Sequence, residues 1–157
     1  FDILEDCFDQ CINLSRGAKT LINTMNSRKS KTYIISGGYS FFVARVAKLL
    51  KVSDYYSNNA IIQNNMFTGK VKKPIIDEIG KLELVKKICK KNNLNIKNVI
   101  AVGDGANDIK MLESVGHGIA FKSKKIVKSC TDIHIDYSDL TSLLFLQGIN
   151  QKYFIRK

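Results

Sequence analysis

A doubly wound α/β fold, with a parallel sheet covered by helices on both faces, is the architecture this sequence predicts. Two short runs carry the prediction: TYIISGG (32–38) and NVIAVGDG (98–105), each apolar and each stopped by glycines. The third observation is alternation. From Thr32 onward, strand-like runs alternate with stretches of helical apolar period, as repeated strand–helix–strand units require.

The elements follow in order. Phe1, Leu4, Phe8 and Ile12 recur at helical spacing, and Cys7 and Cys11 extend that stripe. Ser15 is placed to cap a second helix, GAKTLINTM, with Leu21, Ile22 and Met25 turned inward. TYIISGG reads as a buried strand ending at Ser36, and Ser40 to Leu50 as an amphipathic helix. From about Tyr55 to Lys72 the chain reads as extended segments around turns at Asn64-Asn65 and Thr68-Gly69, closed by Pro74. Lys81 to Asn92 has Leu82, Val85, Ile88 and Cys89 on one helical face. Asn98 to Gly103 is a second buried strand, Ala106 to Val115 a helix, and Gly118 to Phe121 a third strand. Lys124 to Ser129 is helical, Asp132 to Ile135 is a fourth strand, Leu140 to Leu146 a last helix, and 151–157 a tail.

Composition bounds the function. At 157 residues the chain can bury a core of its own. No segment approaches the roughly 18 consecutive apolar residues that span a bilayer, and no signal-peptide pattern opens the chain, so a cytoplasmic protein with no membrane partner is expected. The net charge of +11 points toward nucleic acid, but the basic residues are mostly Lys, dispersed along helices. There is no interleaving of Arg with aromatic residues of the kind that stacks bases. A solvated basic face is the expectation, with no nucleic acid partner. Four cysteines form no C-x-x-C pair, and buried or inert thiols are expected of them.

Chemistry concentrates at the ends of the two buried strands. Ligands of doubly wound sheets sit at the carboxyl ends of strands, where Ser36-Gly37-Gly38 and Gly103-Asp104-Gly105 both fall. A carboxylate flanked by glycines can reach a hard cation without crowding a substrate. Asp108 lies one helical turn beyond Asp104, so both can face one ion at a helix start, and Mg²⁺ suits one or two carboxylates with waters and a phosphate. Asn107 can donate to an oxyanion or orient Asp104. Ser36 and Gly37 offer a hydroxyl and backbone N–H groups near a helix start, the makings of a phosphate cradle. Lys81 adds a fixed cation. A hydroxyl donor, a cation and a metal carboxylate are what phosphoryl transfer needs to neutralise and align the transferring group.

These motifs, IISGGYSFF, NNMFTGKV, IIDEIGKLELV and VGDGANDIKMLESVGHGIAF, resemble those of the phosphoserine phosphatase family in the haloacid dehalogenase superfamily, over Leu14 to about Gln151. The resemblance implies a Rossmann-like core at 14–150 and, at 1–13, the last helix of a cap that recognises the serine moiety. It implies hydrolysis of O-phosphoserine with Mg²⁺, the last step of serine biosynthesis. Ser36 and Gly37 would bind the substrate phosphate and Lys81 would neutralise its charge. Asp104 would ligate Mg²⁺, Asp108 would support that metal site from behind it, and Asn107 would bind phosphate or substrate. His117 and His134 match no catalytic position and are expected to be structural.

The family's first motif, D-x-D-x-T, supplies the nucleophile and general acid from a first, central strand. None of the ten aspartates of this chain is two residues from another. The resemblance thus implies that the first strand and most of the cap lie upstream of Phe1, in a separate or preceding segment, and that the chain alone is inactive. Two other expectations stand beside this one: a non-catalytic phosphate- or Mg²⁺-binding remnant, and a phosphatase for another small phosphomonoester.

Overall fold

The structure, a computed structural model, describes residues 2–64 and 66–156. The expectations that involve Phe1, Asn65 and Lys157 lie outside them. The chain forms two compact units, one built from 1–68 and 138–157, the other from 69–137.

In the first unit, the β-branched run forms β1 (Tyr33–Tyr39), the apolar SFFVARVAKLL forms α3 (Ser40–Leu50), and β2 (Asp54–Asn58) returns parallel to β1. Two helices precede them, α1 (Asp2–Cys11) and α2 (Ala18–Ser27). Val43, Ala47 and Leu50 recur at helical spacing and are the buried face of α3, as amphipathic periodicity requires. α1 is tied to α3 by a Glu5–Arg45 ion pair, with the Arg45 guanidinium over the rings of Phe8 and Phe41. β1 differs from expectation in two ways. It runs past Ser36 to Tyr39, and its residues are half-buried or exposed rather than enclosed, because it is paired on one side only among the described residues.

Ser15 does not cap α2. Gly17 occupies that position with φ 83°, a left-handed conformation that glycine adopts without strain, and Ser15 contributes only its carbonyl, to Ala18 N–H at 3.0 Å. The buried residues of α2 are Ala18 and Thr24, while Leu21, Ile22 and Met25 are half-buried. Thr24 is fully buried, and its Oγ1 accepts from Ile155 N–H at 2.9 Å. Residues 151–157, expected as a tail, therefore include a 3₁₀ turn (Gln151–Tyr153) and a segment pinned to α2, with Phe154 tilted against Phe145. β3 (Ala60–Gln63) and β4 (Met66–Val71) form a second two-stranded sheet after a turn at Asn64, φ 48°. Thr68-Gly69 is not a separate turn; it lies inside β4.

The second unit is a three-stranded parallel sheet in the order β5 (Ile100–Gly103), β6 (His117–Phe121), β7 (Ile133–Ile135). Its helices are α4 (Glu78–Lys91), α5 (Ile109–Ser114) and α6 (Lys125–Lys128). Ile119, Ala120 and Val127 are at most 1% exposed and mark its core, joined by Leu112, Val85, Ile88 and Cys89. The approach between elements is close. A Cβ on Gly116 would stand 1.8 Å from the Lys97 carbonyl oxygen, so glycine is required where α5 gives way to β6. α4 starts at Glu78, three residues before the expected start, because the Asp77 carboxylate accepts from Gly80 N–H at 2.8 Å and caps it. No described helix is long and apolar enough to cross a membrane.

Candidate active site

In the second unit the chemistry begins where β5 stops. After Gly103 the chain tightens into a 3₁₀ turn, Ala106–Asp108, before α5 begins. That turn folds Asp108 back over the strand end, where its Oδ2 accepts the N–H groups of Asp104 and Gly105, each at 3.1 Å. Only glycine fits at 103, since a Cβ there would lie 2.5 Å from Asp108 Cβ. From α4, Lys81 Nζ reaches the other oxygen of Asp108 at 2.6 Å, and the two side chains are 8% and 7% exposed. Lys81 can do this because it sits one turn inside α4 rather than at its first residue.

A lysine this enclosed is sustained by its partner. Removing either charge would leave the other stranded in low dielectric, whereas a short charge-assisted hydrogen bond with two further N–H donors satisfies the carboxylate. Asp108 thus binds the loop to α4, and its oxygens are committed to protein donors. Asp104 is the opposite. It is exposed, and its carboxylate has no hydrogen-bond or ion-pair partner among the described residues; its backbone alone is engaged, the N–H by Asp108 Oδ2 at 3.1 Å and the carbonyl by Lys124 N–H at 3.4 Å. Asn107 is also exposed. The unit therefore brings Lys81 and Asp108 into contact and leaves Asp104 as an uncommitted oxygen donor at the strand end.

In the first unit, Ser36 and Gly37 lie in the C-terminal half of β1, just before α3. Ser36 Oγ accepts from Gly38 N–H at 3.0 Å, and the Gly37 carbonyl accepts from Asn58 Nδ2 at 2.9 Å. Asn58 is 6% exposed. Sequence reasoning passed over it, because DYYSNNA reads only as an extended segment and a lone asparagine there has no distinguishing neighbour.

Other groups sort simply. His134 Nε2 lies 2.7–2.8 Å from the carbonyls of Thr131 and Lys128, a local structural bond, and His117 is exposed. Cys89 is buried, and burial pushes its thiol pKa up. Cys7 and Cys11, expected to be buried or inert, are exposed. Among the described residues no three His, Cys, Asp or Glu side chains converge to hold a metal ion. A cation at Asp104 would take its remaining ligands from water and substrate, which is the habit of Mg²⁺ and unlike that of a structural zinc.

A parallel α/β core with an aspartate-bearing Gly-Asp-Gly turn at one strand end and a Ser-Gly-Gly turn at another defines a class. The sequence profile of the haloacid dehalogenase-like hydrolases matches residues 4–116, and the chain belongs to that family. Within it, the chain is similar to the phosphoserine phosphatase of Lactococcus lactis, 38% identical over 142 residues that cover 90% of this chain and 65% of the relative. It is also similar to the phosphoserine phosphatase of Archaeoglobus fulgidus, 37% identical, again over 90% of this chain but 41% of the relative. A substrate-bound phosphoserine phosphatase structure superposes with a TM-score of 0.87 at 32% identity, covering 95% of this chain and 70% of that one. The chain thus spans less than two thirds of the length of these two curated relatives.

Proposed function

We propose that this chain carries the C-terminal portion of a Mg²⁺-dependent phosphoserine phosphatase, which hydrolyses O-phosphoserine to serine and phosphate. The observation that supports this most is the division of labour in the Gly-Asp-Gly-Ala-Asn-Asp turn. Asp108 is locked to Lys81 and to two backbone N–H groups, and Asp104 is left free at the strand end. In this reading Asp104 ligates the cation, which when bound would offset phosphate charge. Asp108 and Lys81 fix the turn that presents Asp104, and Lys81 adds positive charge. Asn107 binds phosphate or substrate. Ser36 and Gly37 donate hydrogen bonds to phosphate oxygens, stabilising charge as it shifts during transfer.

Residues 1–13 stand for the last helix of a cap, 14–150 for the core and 151–157 for its closing tail, and a cytoplasmic location goes with the reading. The aspartate that attacks phosphorus is not among the 157 residues, since none forms D-x-D-x-T. It would come from a segment outside them.

The test is reconstitution. The chain with O-phosphoserine and Mg²⁺ should release no phosphate; adding a segment that carries D-x-D-x-T should give release that depends on Lys81 and Asp104. Turnover by the chain alone, lost in Asp104→Ala, would mean another residue attacks. Anion or Mg²⁺ binding with no turnover after complementation would favour the non-catalytic alternative. Turnover of other small phosphomonoesters in preference to O-phosphoserine would move the substrate assignment.

A further inference from the structure

Asn58 is the last residue of β2, paired with Tyr39 just past Ser36–Gly38, and the register of the two strands explains its presence. Tyr33, Ile34 and Ile35 pair in step with Asp54, Tyr55 and Tyr56, but the next pair is Tyr39 with Asn58. Three residues of β1, Ser36, Gly37 and Gly38, thus face one residue of β2, and the regular ladder cannot serve them. The Asn58 side chain fills the gap by donating to the Gly37 carbonyl at 2.9 Å.

That bond acts on one peptide group. The Gly37–Gly38 peptide is planar, so its C=O and N–H turn together. Asn58 holds the C=O, and Ser36 Oγ receives the N–H at 3.0 Å. Two successive glycines would otherwise sample many backbone orientations. A serine hydroxyl has one proton and two lone pairs. With a lone pair taken by Gly38 N–H, and no acceptor for the Ser36 proton among the described residues, that proton is available to an incoming oxyanion.

We propose that Asn58 is a positioning residue for phosphate binding: through the Gly37–Gly38 peptide it orients the Ser36 hydroxyl as a donor to an anionic oxygen. The inference rests on the phosphate-cradle role given to Ser36 and Gly37 above. The probe is sulfate, whose charge stays constant over the working pH range, followed by the amide signals of Ser36, Gly37 and Gly38 in NMR titrations of the full chain. The parent should bind sulfate with shifts at these three residues. Asn58→Asp keeps size but at neutral pH has no proton to give Gly37, so its affinity should fall about tenfold, the loss expected for one hydrogen bond in a polar site. As pH falls toward the carboxyl range, near about 4, the neutral acid can donate again and the deficit relative to the parent should shrink. Protonation also relieves repulsion between the carboxylate and sulfate, so Asn58→Leu, neutral and unable to donate, should show a deficit at neutral pH as well.

Either variant binding sulfate as the parent does, or an Asn58→Asp deficit that does not change with pH, overturns the role of Asn58 and leaves the cradle standing. A parent that shows no sulfate shifts at Ser36 to Gly38 overturns the cradle, and the inference with it. Should Asn58→Asp fail to fold, the parent decides: sulfate should slow exchange of the Asn58 side-chain amide and of Gly38 N–H together. Binding that leaves both rates unchanged overturns the proposal.

Discussion

At the scale of single residues, Asp104 and Lys81 separate function from stability. Lys81 is buried against Asp108, so Lys81→Ala should strand a carboxylate and cost about 3–5 kcal/mol. Urea unfolding followed by a probe in the second unit would measure it. Asp104 is exposed without a side-chain partner among the described residues, so Asp104→Ala should change stability by less than about 0.5 kcal/mol. In the reconstituted phosphatase both substitutions should abolish turnover. A stable, inactive Asp104→Ala beside an unstable, inactive Lys81→Ala is the expected pattern; an active Asp104→Ala would overturn its proposed role as a metal ligand. Cys89 gives a pH signature of its own. Its thiol pKa is raised by burial, so the folded state disfavours the thiolate. Its contribution is fully present below the ordinary thiol pKa and is lost as pH rises through the raised one. Cys89→Ser should flatten the alkaline loss of stability, and alkylation of native protein should label exposed Cys7 and Cys11 well before Cys89.

At the scale of elements, caps and close approaches set the boundaries. Asp77→Ala removes the acceptor for Gly80 N–H at the start of α4 and should cost about 1 kcal/mol. Because that turn carries Lys81, the readout includes faster amide exchange over Glu78–Lys81, with β7 unaffected. Gly116→Ala should be far worse, since the added carbon meets backbone rather than a side chain that can move. Alternating apolar runs announced β1, β5, β6 and β7, while the parallel β2 read only as an extended segment; Gly-Asp-Gly-Ala-Asn-Asp announced the turn, because glycines and carboxylates at a strand end have few other uses. The helix that carries Lys81 was placed three residues late, since Asp77 as a cap looks like any loop aspartate. The spacing allows Asp108 to face the same ion as Asp104, while the family resemblance places it behind that site. Its backward fold onto N–H groups depends on a 3₁₀ turn that leaves no periodic signal. Asn58 was invisible because its value comes from a slip in register between two strands, which only pairing can reveal.

At the scale of the whole molecule, both parallel sheets carry an open strand. β1 is bonded to β2 alone and β5 to β6 alone among the described residues. An unpaired edge leaves a row of N–H and C=O groups to water or to another chain. Amide exchange in the isolated chain should therefore be fast over Tyr33–Ile35 and Val99–Val102 compared with β6, which is bonded on both sides. Strong cooperative protection of β1 and β5 in a monomer would contradict this. Adding the D-x-D-x-T segment should slow exchange in both stretches together with the gain of activity.

The bond from Ile155 N–H to Thr24 links residues 131 positions apart. During synthesis at about 5–20 residues per second, Thr24 would leave the ribosome roughly 7–26 s before its partner. The second unit, contiguous in the chain, has all its residues before the first unit receives its closing segment. For that interval the nascent first unit has a hydroxyl in its core without its partner. The first unit, begun before the second in this chain, is therefore closed after it.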